Sequence, residues 1–174
     1  MLAAVGRPLG VAQANAEPIH ERPVRRVPRT ISLSSLQGRG GIVAIMKTGR
    51  CACGLVVYEA TGELTPVTYC HCSMCRRWHG HVGAWTAVER DGFRLIEERG
   101  LKWYATSPTV RRGFCVECGS SLLWDETGDT RMGVCAGTLD APTGLRGKAH
   151  IFVGSKGDYY ALPDDGLPRY EEYK

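Results

Sequence analysis

Eight cysteines carry the most chemistry in this sequence: Cys51, Cys53, Cys70, Cys72, Cys75, Cys115, Cys118 and Cys135. Seven of them fall into short-spaced groups, Cys51-Ala52-Cys53-Gly54, Cys70-His71-Cys72-Ser73-Met74-Cys75 and Cys115-Val116-Glu117-Cys118-Gly119. Two thiolates separated by two residues can turn toward one ion, and a glycine just beyond them allows the positive φ that aims backbone N–H groups at sulfur. On a regular strand, side chains at i and i+2 of a knuckle could not both be steered to one ion without a bend, so Cys51 and Cys53 are expected on a turn, for which Gly54 is suited. Thiolate donors favour zinc over magnesium or calcium, and none of the runs has a ferredoxin spacing. Disulfides are the competing use of an even cysteine count, and they need an oxidising compartment. Residues 1–16 do not read as a signal peptide, because Arg7 and Pro8 interrupt the apolar stretch, so a cytoplasmic protein is expected.

The number of ligands bears on function. A structural zinc closes its tetrahedron with four protein ligands, whereas a catalytic zinc keeps one position open. Seven grouped sulfurs divide as four plus three, so two Zn²⁺ per chain are expected. The natural partition assigns the glycine-terminated groups, Cys51, Cys53, Cys115 and Cys118, to a closed site and leaves Cys70, Cys72 and Cys75 for an open one. Spacing leaves other partitions open. Cys135 has no neighbouring ligand and reads as a buried core thiol. As a fourth ligand of the second site it would close the entry point for chemistry. Arg76 and Arg77 follow the triple-cysteine run, where they could offset thiolate charge or hold a carboxylate, or simply be solvated. His71, His79 and His81 are candidate ligands or proton carriers, though ordinary histidines are the commoner case, and His150 reads as a strand residue.

These groups need elements to hold them. The chain has 174 residues, 43% hydrophobic and 23% charged, enough for one compact domain with a real core. No apolar run approaches the roughly 20 residues of a membrane-spanning helix. The net charge of +4 comes from the first 45 residues, where six Arg face Glu17 and Glu21, while the remainder balances, so nucleic acid is not an expected partner. Residues 1–45, with four Pro and no hydrophobic period, read as a disordered leader, an Arg-rich targeting segment, or an extension upstream of a start at Met46. Residues 46–174 read as the domain. Runs rich in β-branched and aromatic residues, at 55–59, 66–70, 84–88, 93–97, 102–105, 110–114, 122–124, 131–136 and 149–153, predict a mostly β fold of small sheets in a sandwich-like arrangement. Only residues 73–79 suggest a helix.

Cys51-x-Cys53-Gly54, Cys70-His71-Cys72-x-x-Cys75-Arg76, Phe114-Cys115-x-x-Cys118-Gly119-Ser120, Ala136-Gly137-Thr138-Leu139-Asp140, and His150-Ile151-Phe152-Val153 followed by Leu167-Pro168 resemble the glutathione-dependent formaldehyde-activating enzyme family. The resemblance spans nearly all of residues 46–174. It implies a mostly β fold, a structural zinc on Cys51, Cys53, Cys115 and Cys118, and a catalytic zinc on Cys70, Cys72 and Cys75. It also implies the activity of a carbon–sulfur lyase, S-(hydroxymethyl)glutathione synthase, with glutathione and formaldehyde as partners. A glutathione site needs a compact basic pocket, for which Arg76, Arg77, Arg111 and Arg112 are the clustered candidates. No general acid stands out. The alternative is a non-catalytic, zinc-stapled interaction module that presents Trp78, Trp85 and Trp103 to a partner.

Overall fold

The computed structural model describes residues 45–173. The expected leader lies outside the described residues except for Ile45. Eleven strands and one α-helix follow one another: β1 (Met46–Arg50), β2 (Val57–Thr61), β3 (Val67–Cys70), α1 (Ser73–His79), β4 (Gly83–Glu89), β5 (Phe93–Glu97), β6 (Leu101–Ala105), β7 (Val110–Cys115), β8 (Ser121–Glu126), β9 (Arg131–Cys135), β10 (Gly147–Ile151) and β11 (Arg169–Tyr170). The domain is mostly β. Three strands form one sheet in the order β1-β2-β5, and eight form the other in the order β11-β10-β3-β4-β9-β8-β7-β6. Pairing is antiparallel except where β10 runs parallel to both β3 and β11. Among the described residues no helix is long and apolar enough to cross a membrane.

The nine expected strands all appear, with ends moved by a residue or two. Two more were not expected. β1 reads Met-Lys-Thr-Gly-Arg, which has no apolar alternation, and it forms because it pairs with β2 along its whole length. A side chain on Gly49 would collide with the ring of Tyr58, so only glycine lets this strand lie flat there. β11 is two residues long and pairs with His150 and Ile151.

Alternation explains most of the core. In β2, Tyr58 and Ala60 point inward and are fully buried, while Glu59 lies between them on the other face. Val56, Tyr58, Val88, Leu122, Leu123 and Val134 make the main core, and each such side chain contributes roughly 1.5–3 kcal/mol by leaving water. Cys51 and Cys115 belong to that core, whereas Cys70, Cys75 and Ile151 form a second, smaller one. The helix expected at 73–79 has those bounds. Its segment, Ser-Met-Cys-Arg-Arg-Trp-His, lacks β-branched residues, Gly80 ends it at φ 75°, and Arg76, Arg77 and His79 complement the dipole in its last turn.

One polar cluster helps hold the large sheet together. Asp125 is buried on β8 and receives Arg90 at 2.8 Å and Arg111 at 2.7 Å. Burial opposes its ionisation, but the hydrogen bonds from Arg111 and Arg90 outweigh that and hold its carboxyl below the usual range. A depressed carboxylate stabilises the fold above its unfolded pKa near 4, and that contribution disappears as pH falls through the folded value. Asp125→Asn should therefore cost about 1–2 kcal/mol at pH 7, modest because both arginines are half-exposed. In urea titrations the gap between variant and wild type should narrow below about pH 4. A gap independent of pH would refute the assignment.

Candidate metal centre

Two groups of sulfur atoms lie close together. Within each group, Cys51, Cys53, Cys115 and Cys118 on one hand and Cys70, Cys72 and Cys75 on the other, all ligand atoms are within 4.8 Å of one another. Both compositions are those of the four-plus-three partition, one of those that the spacing leaves open. In the first group the Cys51 and Cys53 sulfurs are 3.5 Å apart and those of Cys53 and Cys115 3.6 Å. A tetrahedral ion with bonds of about 2.3 Å to sulfur sets its ligands about 3.8 Å apart, so this group fits such an ion.

Two turns build the first group. Cys51 follows β1 and Cys115 ends β7, so the group joins segments far apart in sequence. Gly54 at φ 79° and Gly119 at φ 72° each donate a backbone N–H back to the first cysteine's carbonyl, at 3.2 and 2.9 Å. Other backbone donors are aimed at sulfur, as from Val56 to Cys51 Sγ at 3.3 Å. Burial pushes the Cys115 thiol up, and the N–H groups of Cys118 and Glu117 work against that push. Burial also opposes ionisation of Cys118, yet hydrogen bonding by Ser120 and neighbouring N–H groups brings it down to about 6.

The second group sits where β3 meets α1. Cys70 is the last residue of β3, Cys75 lies in the helix, and Cys72 caps the helix by accepting the Cys75 N–H at 3.3 Å. Cys70 and Cys75 are buried. Hydrogen bonds from Cys70 and Cys75 pull the Cys72 thiol down to about 2, and the same contacts push Cys70 up. Three thiolates this close repel one another, and a bound cation would relieve that repulsion. Among the described residues no fourth His, Cys, Asp or Glu joins this group.

Cys135 belongs to neither group. It is buried, its sulfur lies 3.5 Å from Ser121 Oγ, and burial pushes its thiol up to about 12, so it remains a protonated core residue.

The histidines divide sharply. His71 Nδ1 lies 2.6 Å from Tyr160 Oη, its Nε2 lies 2.9 Å from His150 Nδ1, and His150 Nε2 lies 3.1 Å from Asp165 Oδ2. With a carboxylate at one end, the chain has one consistent orientation for neutral rings: His150 donates to Asp165, His71 donates to His150, and Tyr160 donates to His71. Burial lowers the His71 pKa to about 4, which keeps it neutral. Both ring nitrogens of His71 are thus engaged by protein groups. His81 is exposed and packs against Tyr160, with ring centres 4.4 Å apart.

Of the four clustered arginines, Arg112 reaches the second group. Arg112 is buried and places Nη2 3.7 Å from Cys75 Sγ, and Arg76 is half-buried on α1. Arg111, one residue along the strand, turns to Asp125 and lies 4.2 Å above the Trp103 ring, and Arg77 is exposed. The tryptophans are engaged within the fold rather than displayed. Trp78 donates to Ser121 Oγ at 2.7 Å and stacks on Tyr104, and Trp85 meets His79 edge-on. Sequence reasoning did not find Tyr160 or Asp165, since nothing near them in the chain marks them. An open cavity of about 670 Å³ borders Tyr160, with Lys156, Tyr159, Leu162 and Arg169 among its lining.

Residues 46–155 match the model of the glutathione-dependent formaldehyde-activating enzyme family. The chain belongs to this family. An uncharacterized lyase of Schizosaccharomyces pombe (strain 972 / ATCC 24843) is 29% identical over 80 residues, 45% of this chain. That match spans 57% of the relative's own length. A Rhodobacter sphaeroides protein of known crystal structure is 23% identical with a TM-score of 0.47, over 71% of this chain and 98% of that one. The family match ends before Tyr160 and Asp165.

Proposed function

We propose that the protein is a zinc-dependent carbon–sulfur lyase that interconverts glutathione, or a thiol of similar charge, and formaldehyde with S-(hydroxymethyl)glutathione. The observation that carries this reading is the three-sulfur group Cys70, Cys72 and Cys75, which has no fourth protein donor among the described residues. Membership of the formaldehyde-activating family and the lyase name of the fission yeast relative support it. In this reading Cys51, Cys53, Cys115 and Cys118 hold a structural zinc, and Cys70, Cys72 and Cys75 hold the catalytic one.

Zinc bound at the second group supplies Lewis acidity, which favours the thiolate form of a sulfur ligand at neutral pH. The protein's own residues do the rest. Cys70 and Cys75 are buried, which limits water at the reacting sulfur. Arg112 supplies positive charge beside that group and favours an anionic thiol substrate. The Tyr160 hydroxyl hydrogen is committed to His71 Nδ1, which leaves the oxygen's lone pairs to accept a hydrogen bond from a substrate N–H. Asp165 and His150 fix the His71 ring in that tautomer.

Exchange NMR on a mixture of glutathione and formaldehyde tests the activity. The protein should speed interconversion with S-(hydroxymethyl)glutathione at least tenfold over the same mixture without it. An unchanged exchange rate with fully metallated protein would reject the reading.

A further inference from the structure

Four buried side-chain nitrogens among the described residues lack a hydrogen-bond partner: Arg76 Nε, His79 Nε2, Arg112 Nε and Arg112 Nη1. All belong to residues that flank the second sulfur group. Arg76 and His79 share α1 with Cys75, and Arg112 reaches Cys75 Sγ from β7. His79 and Arg112 also pack on the same ring, that of Trp85, at 5.2 and 5.5 Å.

Arg112 is the exceptional member. It is 6% exposed, and its contact with sulfur uses one nitrogen of three. Among the described residues no carboxylate pairs with it, because Asp125 lies with Arg111 and Arg90 instead. A buried guanidinium with idle N–H groups is costly, and such groups are retained where a ligand completes them. Their fixed, fork-like geometry suits an oxygen anion.

We propose that Arg112, with His79 beside it on the Trp85 ring, donates to a singly charged substrate oxygen beside Cys75, the alkoxide of the thiol–aldehyde adduct. This rests on the lyase reading above. The adduct oxygen is two bonds from the reacting sulfur, which is the range of a guanidinium already touching a cysteine of that group. The carboxylates of a glutathione-like thiol lie many bonds further away. In the step itself, a sulfur lone pair forms the S–C bond and the C=O π pair moves onto oxygen. The N–H groups of Arg112 donate hydrogen bonds to that oxygen and keep their protons. The alkoxide then takes a proton from water, and the hydroxide left is neutralised by the proton the thiol released earlier.

Formate is the probe, a small planar oxyanion whose binding does not depend on turnover. It is titrated calorimetrically into the metal-loaded full chain and into Arg112→Met, with metal content measured on both. Wild type should bind formate and the variant at least tenfold more weakly with its metal retained. Removing an oxyanion donor should lower kcat about a hundredfold with the thiol KM within about threefold. Equal formate affinity in the two proteins, or no formate binding by wild type at 100 mM, on the order of the weakest anion sites, overturns the proposal. A variant that loses its metal and its thiol affinity together, with formate binding intact in what remains, shows that Arg112 only balances sulfur charge and also overturns it. Should Arg112→Met fail to fold, Arg112→Lys keeps the charge without the fork and should bind formate at least threefold more weakly, wild-type affinity in it being contradictory. Formate binding that depends on Arg112 in a protein without lyase turnover leaves the anion pocket standing and removes the lyase reading alone.

Discussion

Replacing Cys72 with serine should abolish turnover and remove one of two metal ions while the domain stays folded. Cys72 precedes α1 and accepts the Cys75 N–H, and serine is among the best residues for that role, so the helix start survives the change. The donor set falls from three thiolates to two, because a hydroxyl is a poor ligand for a soft ion at neutral pH. Activity should drop at least about a hundredfold, beyond what loss of an outer-sphere partner does to a metal site. Elemental analysis should show close to one ion per chain, with the circular dichroism of the wild type. Retention of two ions and full activity would mean that Cys72 is not a ligand.

Cys115→Ser should produce the opposite pattern, with stability lost first. Cys115 is fully buried, is part of the main core and shares its sulfur group with Cys51 and Cys53 from the start of the domain. Structural zinc sites contribute apparent binding free energies of about 10–16 kcal/mol, which rivals the whole stability of a small domain, about 5–15 kcal/mol. Breaking the group should therefore lower the melting temperature by more than about 15 °C or prevent soluble folding. A chelator series on the wild type should agree, with activity lost before the fold because the three-ligand site gives up its ion first. A Cys115→Ser protein with wild-type melting would show that hydrophobic packing alone holds the two turns together.

The fold and the sulfur groups were legible in the sequence for one physical reason, namely that their signals are local. The strand runs carry their own β-branched and aromatic residues, and the members of each cysteine pair are two or three residues apart, so spacing marks the pairs, while the fold decides that Cys53 meets Cys115 across 62 residues. β1 escaped notice because its strand character comes from pairing with β2 and from the contact of Gly49 with Tyr58, not from its own residues. The chain of Tyr160, His71, His150 and Asp165 was illegible because its hydrogen bonds span up to 89 residues and depend on β10 lying parallel to β3. Arg111 and Arg112 looked equivalent as neighbours. The strand's period of two sends one to Asp125 and the other to Cys75.

The proposed activity requires an ion held by Cys70, Cys72 and Cys75 to accept a sulfur from outside the chain. Cobalt(II) substitution followed by glutathione titration reads this directly, since thiolate-to-cobalt charge transfer reports each sulfur that joins the ion. Two cobalt ions per chain should bind, and glutathione should intensify the charge-transfer absorption of one of them to saturation, with Cys72→Ser silent to the addition. A wild-type spectrum that glutathione leaves unchanged, or a single cobalt in fully folded protein, contradicts it.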